Sequence, residues 1–205
     1  MTRINLFIFS TYLHFTTFAF QMMDDKDILS QFSSNDKQAL EQLFSKYYRA
    51  LSIYALKFID DVQAAEDLVQ EFFVRFWEEK KYLHVKGSLK NYLFTSIRNR
   101  SFNYLESFHH AKKDYIDNLK EVFTFEQFTD DELAEKKEKL NKEISELPEK
   151  MQEVLKMIVF ENKKYKEVAE ELDVSLNTVK TQYSRALKKL RSSLDIIVLI
   201  LVSSS

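Results

Sequence analysis

Between Ser175 and Leu194 the only charged residues are Lys180, Arg185, Lys188, Lys189 and Arg191. The chain as a whole is slightly acidic, with a formal net charge of -2 over 205 residues, so this all-basic run is a local departure. Cations gathered along one helix neutralise phosphates, which gives affinity without sequence information. Between them stand Ser175, Asn177, Thr178, Thr181, Gln182 and Ser184, whose hydroxyls and amides can donate to or accept from base edges in a major groove. The candidate DNA-reading set is therefore Ser175, Asn177, Thr178, Lys180, Thr181, Gln182, Ser184, Arg185 and Lys188. The competing reading is a solvated basic helix in an ordinary bundle.

Positioning that set takes a scaffold, and the flanking residues provide one. Val168, Ala169 and Leu172 fall on one face of a helix that begins near Lys164, and Val179, Tyr183, Ala186, Leu187 and Leu190 fall on one face of the next. Asp173-Val174-Ser175 makes the turn between them, and Ser175 is a natural N-cap for the second helix. Ala169 is small enough to let the two helices cross closely. The pattern is a helix-turn-helix whose second helix enters a major groove.

Upstream the chain reads as more helices. Leu40, Leu43, Phe44, Tyr47, Leu51, Tyr54, Ala55 and Phe58 recur at helical spacing over Asp36 to Ile59, and Asp60-Asp61 ends the pattern. A second helix runs from Val62 to Glu79, with Ala65, Leu68, Val69, Phe72, Phe73, Phe76 and Trp77 apolar and Asp67, Gln70 and Glu71 on the other face. Trp77 is expected in the core. Gly87 stops the chain's helical run and Ser88 caps a third helix, from Leu89 to about Ser107. That helix mixes Tyr92, Phe94, Phe102 and Tyr104, mostly core at this spacing, with a polar set of Lys90, Asn91, Arg98, Asn99, Arg100 and Asn103. Helices over Leu133 to Leu147 and Glu149 to Phe160, separated by Pro148, precede the helix-turn-helix. The fold class is all-α, two small helical domains joined by an acidic linker, the C-terminal one a helix-turn-helix. One Gly and one Pro in the chain agree with long helices and few turns.

The linker is expected within Asp114 to Glu135, where Asp114, Asp117, Glu121, Glu126, Asp130, Asp131, Glu132 and Glu135 face only Lys120. Residues 1–22 form an apolar extension whose abrupt end at Met22-Met23-Asp24-Asp25 favours a natural translation start at Met22 or Met23. The apolar tail over residues 196–205 is too short to span a bilayer and is expected to pack on the last domain. The domains are then 23–110, 111–135 and 136–195. With no cysteine there are no disulfides and no thiolate metal site. His109-His110 diverge on a helix and hold no metal. No catalytic constellation, cofactor motif or small-molecule site is expected.

Two segments carry a family resemblance. Asp67-Leu-Val-Gln-Glu-Phe-Phe-Val-Arg-Phe-Trp-Glu78 resembles the core-polymerase-binding region 2.2 of sigma-70 factors, and Leu147-Pro-Glu-Lys-Met-Gln-Glu-Val-Leu155 with the helix-turn-helix behind it resembles their region 4. With only these two domains the chain is similar to extracytoplasmic-function (ECF) sigma factors over roughly residues 25 to 192. Lys90 to Tyr104 resembles the version found in Bacteroidetes-type members.

The resemblance implies that Asp67, Gln70 and Glu71 meet the clamp helices of the polymerase β′ subunit, with the β flap as a second contact. It implies that Lys90, Asn91, Arg98, Asn99, Arg100 and Asn103 face the −10 element, that the loop of Lys80, Lys81, Tyr82, His84 and Lys86 captures a base, and that the helix-turn-helix reads the −35 element. It further implies an acidic linker near the polymerase cleft, an anti-sigma factor as regulator, a cytoplasmic setting and no enzymatic activity. Asp173 and Asn162 stand where the family commonly has Gly, and both tolerate a left-handed backbone better than most residues. The alternatives are a stand-alone helix-turn-helix regulator acting on duplex DNA, and a helical membrane-associated protein resting on the two apolar ends.

Overall fold

The computed structural model describes residues 24–34, 36–108 and 129–203. Among them there are helices and no strands: α1 (Asp25–Gln31), α2 (Asp36–Ala55), α3 (Val62–Glu78), α4 (Leu89–Phe108), α5 (Asp130–Ser145), α6 (Glu149–Val159), α7 (Tyr165–Glu171), α8 (Leu176–Lys189) and α9 (Leu194–Ser203), with short 3-10 turns at Lys81–His84 and Arg191–Ser193. The expected His109-His110 pair, residues 1–22 and the acidic linker up to Phe128 lie outside the described residues.

The first domain is built around α2. Its apolar face, Leu40, Leu43, Tyr47, Leu51 and Tyr54, is buried against Val69, Phe72, Phe73 and Phe76 of α3 and Leu93, Phe94 and Ile97 of α4. Aromatic rings knit the layer: Tyr54 meets Phe94 edge-on at 5.0 Å between centroids, and Phe44 meets Phe73 at 5.1 Å. Burial pushes the Tyr54 hydroxyl up to about 12. The apolar pattern runs on to Ile59 although α2 ends at Ala55, because Leu56, Phe58 and Ile59 are buried in the turn after the helix. Asp61 then caps α3, its carboxylate accepting the Ala64 N–H at 2.7 Å. Gly87 sits at φ 79, a backbone that favours glycine, and hands over to Ser88, whose hydroxyl accepts the Asn91 N–H at 3.3 Å.

The second domain packs α6, α7 and α8 around Val154, Leu155, Ile158, Val168, Val179, Tyr183 and Leu187. Here the structure corrects two expectations. α5 begins at Asp130 rather than Leu133, so Asp130, Asp131, Glu132 and Glu135 are helical and not linker. The cause is a capping box. Thr129 accepts the Glu132 N–H while Glu132 accepts the Thr129 N–H, and that bond holds the Glu132 carboxyl below its ordinary value. The apolar tail is also more than a final turn on the last domain. It is a helix, α9, and it packs principally against α2 of the first domain, with a lighter contact to α5.

Candidate nucleic-acid interface

The recognition helix α8 is anchored from below and capped from above. Val179, Tyr183, Ala186 and Leu187 are buried. The Tyr183 ring lies 5.7 Å from that of Tyr165, and burial drives the hydroxyls of both upward. The Ser175 hydroxyl accepts the Thr178 N–H at 3.0 Å. In the turn before it Asp173 adopts φ 49, and Asn162, before α7, adopts φ 60. Both positions therefore use the left-handed backbone that favours glycine, and both carry side chains that tolerate it better than most.

Of the nine candidate reading residues, Ser175, Asn177, Lys180, Arg185 and Lys188 are exposed, whereas Thr178, Thr181, Gln182 and Ser184 are only half exposed. Thr181 and Ser184 are covered because α8 faces the first domain. Lys180, Thr181, Ser184, Arg185 and Tyr165 line a cleft of about 310 Å3 whose other wall is Asp61, Val62, Gln63 and Glu66 at the start of α3. Lys180 Nζ donates to Gln63 Oε1 at 3.1 Å, and the Tyr165 hydroxyl donates to Glu66. Burial raises the Glu66 carboxyl above its ordinary value, with the Tyr165 hydrogen bond and the Lys180 charge opposing it.

Leu176 was not among the sequence candidates. It is 47% exposed at the first position of α8, and an apolar residue directly after an N-cap is the signal that would have found it.

Along α3, Asp67, Gln70 and Glu71 share one face. Asp67 accepts from Gln63 Nε2 at 2.9 Å, Gln70 donates to the Tyr48 hydroxyl at 3.0 Å, and Glu71 pairs with Arg75 at 2.6 Å. Trp77 is half buried rather than core, its indole N–H donating to the Asp36 carboxylate at 3.1 Å. An indole needs an acceptor, and this one is at the surface.

The six polar residues of α4 do not form one surface. Asn91, Asn99 and Asn103 lie on an exposed stripe that also carries Thr95, which sequence reasoning passed over because it carries no charge or amide. Lys90, Arg98 and Arg100 flank it and are half buried. Arg100 lies over the Phe72 ring at 5.6 Å and its guanidinium is lowered by burial and by Arg75. In the loop before α4, Tyr82 stacks on Phe32 at 4.2 Å, Lys81 pairs with Glu79 at 2.9 Å, and His84 and Lys86 are exposed beside Leu83, itself 67% exposed. Among the described residues no group of three His, Cys, Asp or Glu is placed to hold a metal ion, and no helix is long and apolar enough to cross a membrane.

A basic, capped second helix of a helix-turn-helix and a separate helical domain with an acid-amide face and an Asn stripe are the surfaces a DNA-binding protein would use. Residues 43–108 match the family described as Sigma-70 region 2, and residues 137–190 match Sigma-70, region 4. Together these span more than half of the chain, which belongs to the sigma-70 family. It is similar to the ECF RNA polymerase sigma factor SigM of Bacillus subtilis (strain 168), 26% identical over 159 residues, covering 75% of this chain and 93% of that protein. It is similar also to the RNA polymerase sigma factor YlaC of the same organism, 25% identical over 167 residues, covering 77% and 93%. A co-crystal structure of the sigma factor RpoE with the anti-sigma factor NepR from Bartonella quintana covers 77% of this chain and 97% of that one, at 21% identity and a TM-score of 0.31. At that score the likeness says nothing of how the domains of this chain sit. Sigma-70 regions 2 and 4, with relatives of this kind, make the chain an ECF sigma factor, which directs promoter-specific transcription initiation.

Proposed function

We propose that this chain is a dissociable initiation factor whose two domains divide the work as its surfaces suggest. Asp67, Gln70 and Glu71 on α3 dock on the β′ clamp helices of core RNA polymerase, and region 4 adds a contact to the β flap. Acid and amide groups suit a basic partner and set orientation more than raw affinity. The stripe of Asn91, Asn99 and Asn103, flanked by Lys90, Arg98 and Arg100, faces the opened −10 element, where amides pair with base edges and cations follow the backbone. Ser175, Asn177, Thr178, Lys180, Thr181, Gln182, Ser184, Arg185 and Lys188 read the −35 element.

The chain has no chemistry of its own, works in the cytoplasm with no cofactor or small-molecule substrate, and is held in check by an anti-sigma factor. The family resemblance of Lys90 to Tyr104 supports a Bacteroidetes-type member.

The observation that carries this reading is the recognition helix, an acid-free basic run opened by the Ser175 cap. Its test separates the two faces. Asp67→Ala and Glu71→Ala weaken binding to core polymerase and leave promoter contacts of the assembled complex intact. Loss of promoter contacts with full polymerase affinity would show the roles to be assigned the wrong way round.

A further inference from the structure

α9 lies beyond the region 4 match, which ends at residue 190. Apart from Asp195 and the terminal Ser203 it is apolar, and Leu194, Ile196, Ile197 and Val198 are buried, Ile197 and Val198 completely. Their burial comes mainly from α2, the central helix of the other domain. Ten residues of helix span about 15 Å at ~1.5 Å per residue, half a bilayer core, too short to cross one.

Polar contacts fasten the same joint. Lys57 pairs with Asp195 at 2.5 Å, Arg191 pairs with Asp60 and donates to the Lys57 carbonyl at 3.2 Å, and Arg49 donates to the Val159 carbonyl at 2.9 Å. The joint brings α8 against the N-terminal part of α3. Lys180 is then engaged with Gln63, and Thr181 and Ser184 look across a cleft at the start of α3.

We propose that α9 is an intramolecular latch: seated on α2, it holds the two domains in a closed form that turns Thr181 and Ser184 of α8 toward the first domain and ties Lys180 to Gln63, and its release accompanies assembly on the polymerase. The latch rests on the initiation-factor reading and adds to it a regulatory contact made by the chain itself. A competing closed state lowers apparent affinity by the fraction of molecules that are open. Loosening the latch therefore raises affinity without adding a contact to DNA or polymerase.

The test uses the full chain, a chain ending at Ser193, and Asp195→Lys, which sets two cations against each other at the Lys57 pair. The rescue variant combines Asp195→Lys with Lys57→Asp. Small-angle scattering reads the closure, since a compact chain of this length has a radius of gyration of about 17 Å. Titration against core polymerase, and against a duplex bearing a promoter mapped with the assembled complex, reads the masking. The latch predicts that truncation and Asp195→Lys enlarge the radius by several ångströms and tighten both bindings about five- to tenfold, and that the charge swap restores the parent values.

Equal radius and equal affinity for Asp195→Lys and the parent would overturn it. Should the truncated chain lose its helical circular dichroism, Asp195→Lys and its rescue decide alone. If neither parent nor variants bind polymerase, the initiation-factor reading fails. If all bind it equally, the latch fails and that reading stands.

Discussion

The Ser175 hydroxyl has two candidate employments, as a cap for α8 and as a contact to DNA, and one pair of substitutions separates them. The hydroxyl accepts the Thr178 N–H at 3.0 Å and lies 2.8 Å from the Thr178 hydroxyl. Ser175→Ala leaves an orphan N–H at the helix start and costs about 1 kcal/mol, whereas Ser175→Gly costs only a few tenths because glycine also suits the N-cap backbone. In a chain of this size about 1 kcal/mol lowers Tm by ~2–4 °C.

Asn177 and Thr178 occupy the turn that frays, so promoter affinity falls about fivefold in Ser175→Ala, the same energy converted at ~1.4 kcal/mol per decade. Thermal unfolding and a promoter titration by the assembled polymerase complex measure both. No cation is removed, so the salt dependence of binding keeps its slope. If Ser175→Gly lost as much promoter affinity as Ser175→Ala while keeping its Tm, the hydroxyl would be a DNA contact first and the capping account of the recognition helix would be refuted.

If Arg185 and Lys188 face phosphates as proposed, Arg185→Ala and Lys188→Ala each weaken promoter binding across sequences and flatten the slope of log affinity against log salt by ~0.9, read by titration at several salt concentrations. Burial raises the Glu66 carboxyl, so the fold favours its protonated form: that stabilisation is complete below the ordinary carboxylate value and lost as pH rises through the raised one. Glu66→Gln keeps an acceptor for Tyr165 without the charge, so its Tm exceeds the parent's at pH 7 and the difference disappears below pH ~4, the unfolded carboxylate range. Asp173→Gly relieves a side chain at φ 49. The left-handed cost of ~1–2 kcal/mol is partly offset by ~0.5–1 kcal/mol of glycine entropy, leaving a gain of about 0.5 kcal/mol in urea unfolding.

Much of this molecule is written locally. The turn at Asp173, the cap at Ser175 and the apolar face of Val179, Tyr183, Ala186 and Leu187 are neighbours in sequence, and the structure has each of them as the spacing predicts. The Asp61 and Ser88 caps are equally local. What periodicity carries poorly is where a helix goes after it forms. Apolar residues from Ile196 to Val202 announce a buried helix, but nothing in their spacing names α2 as the surface that buries them.

The pairing of Lys180 with Gln63 and of Tyr165 with Glu66 joins residues about a hundred positions apart, and no local pattern encodes it. The division of the α4 polar set has the same origin. Residue type put Lys90, Arg98 and Arg100 with the asparagines, whereas their angular positions set them at the edges of the stripe. The start of α5 is encoded locally, since Thr129 and Glu132 stand at capping-box spacing, although the acidic composition around them has the look of a linker.

The most direct test of the central claim is size-exclusion chromatography of the full chain with purified bacterial core RNA polymerase. A stoichiometric complex that then protects a promoter at two separated elements is the predicted result. A chain that elutes apart from polymerase while binding duplex DNA tightly by itself would contradict the account.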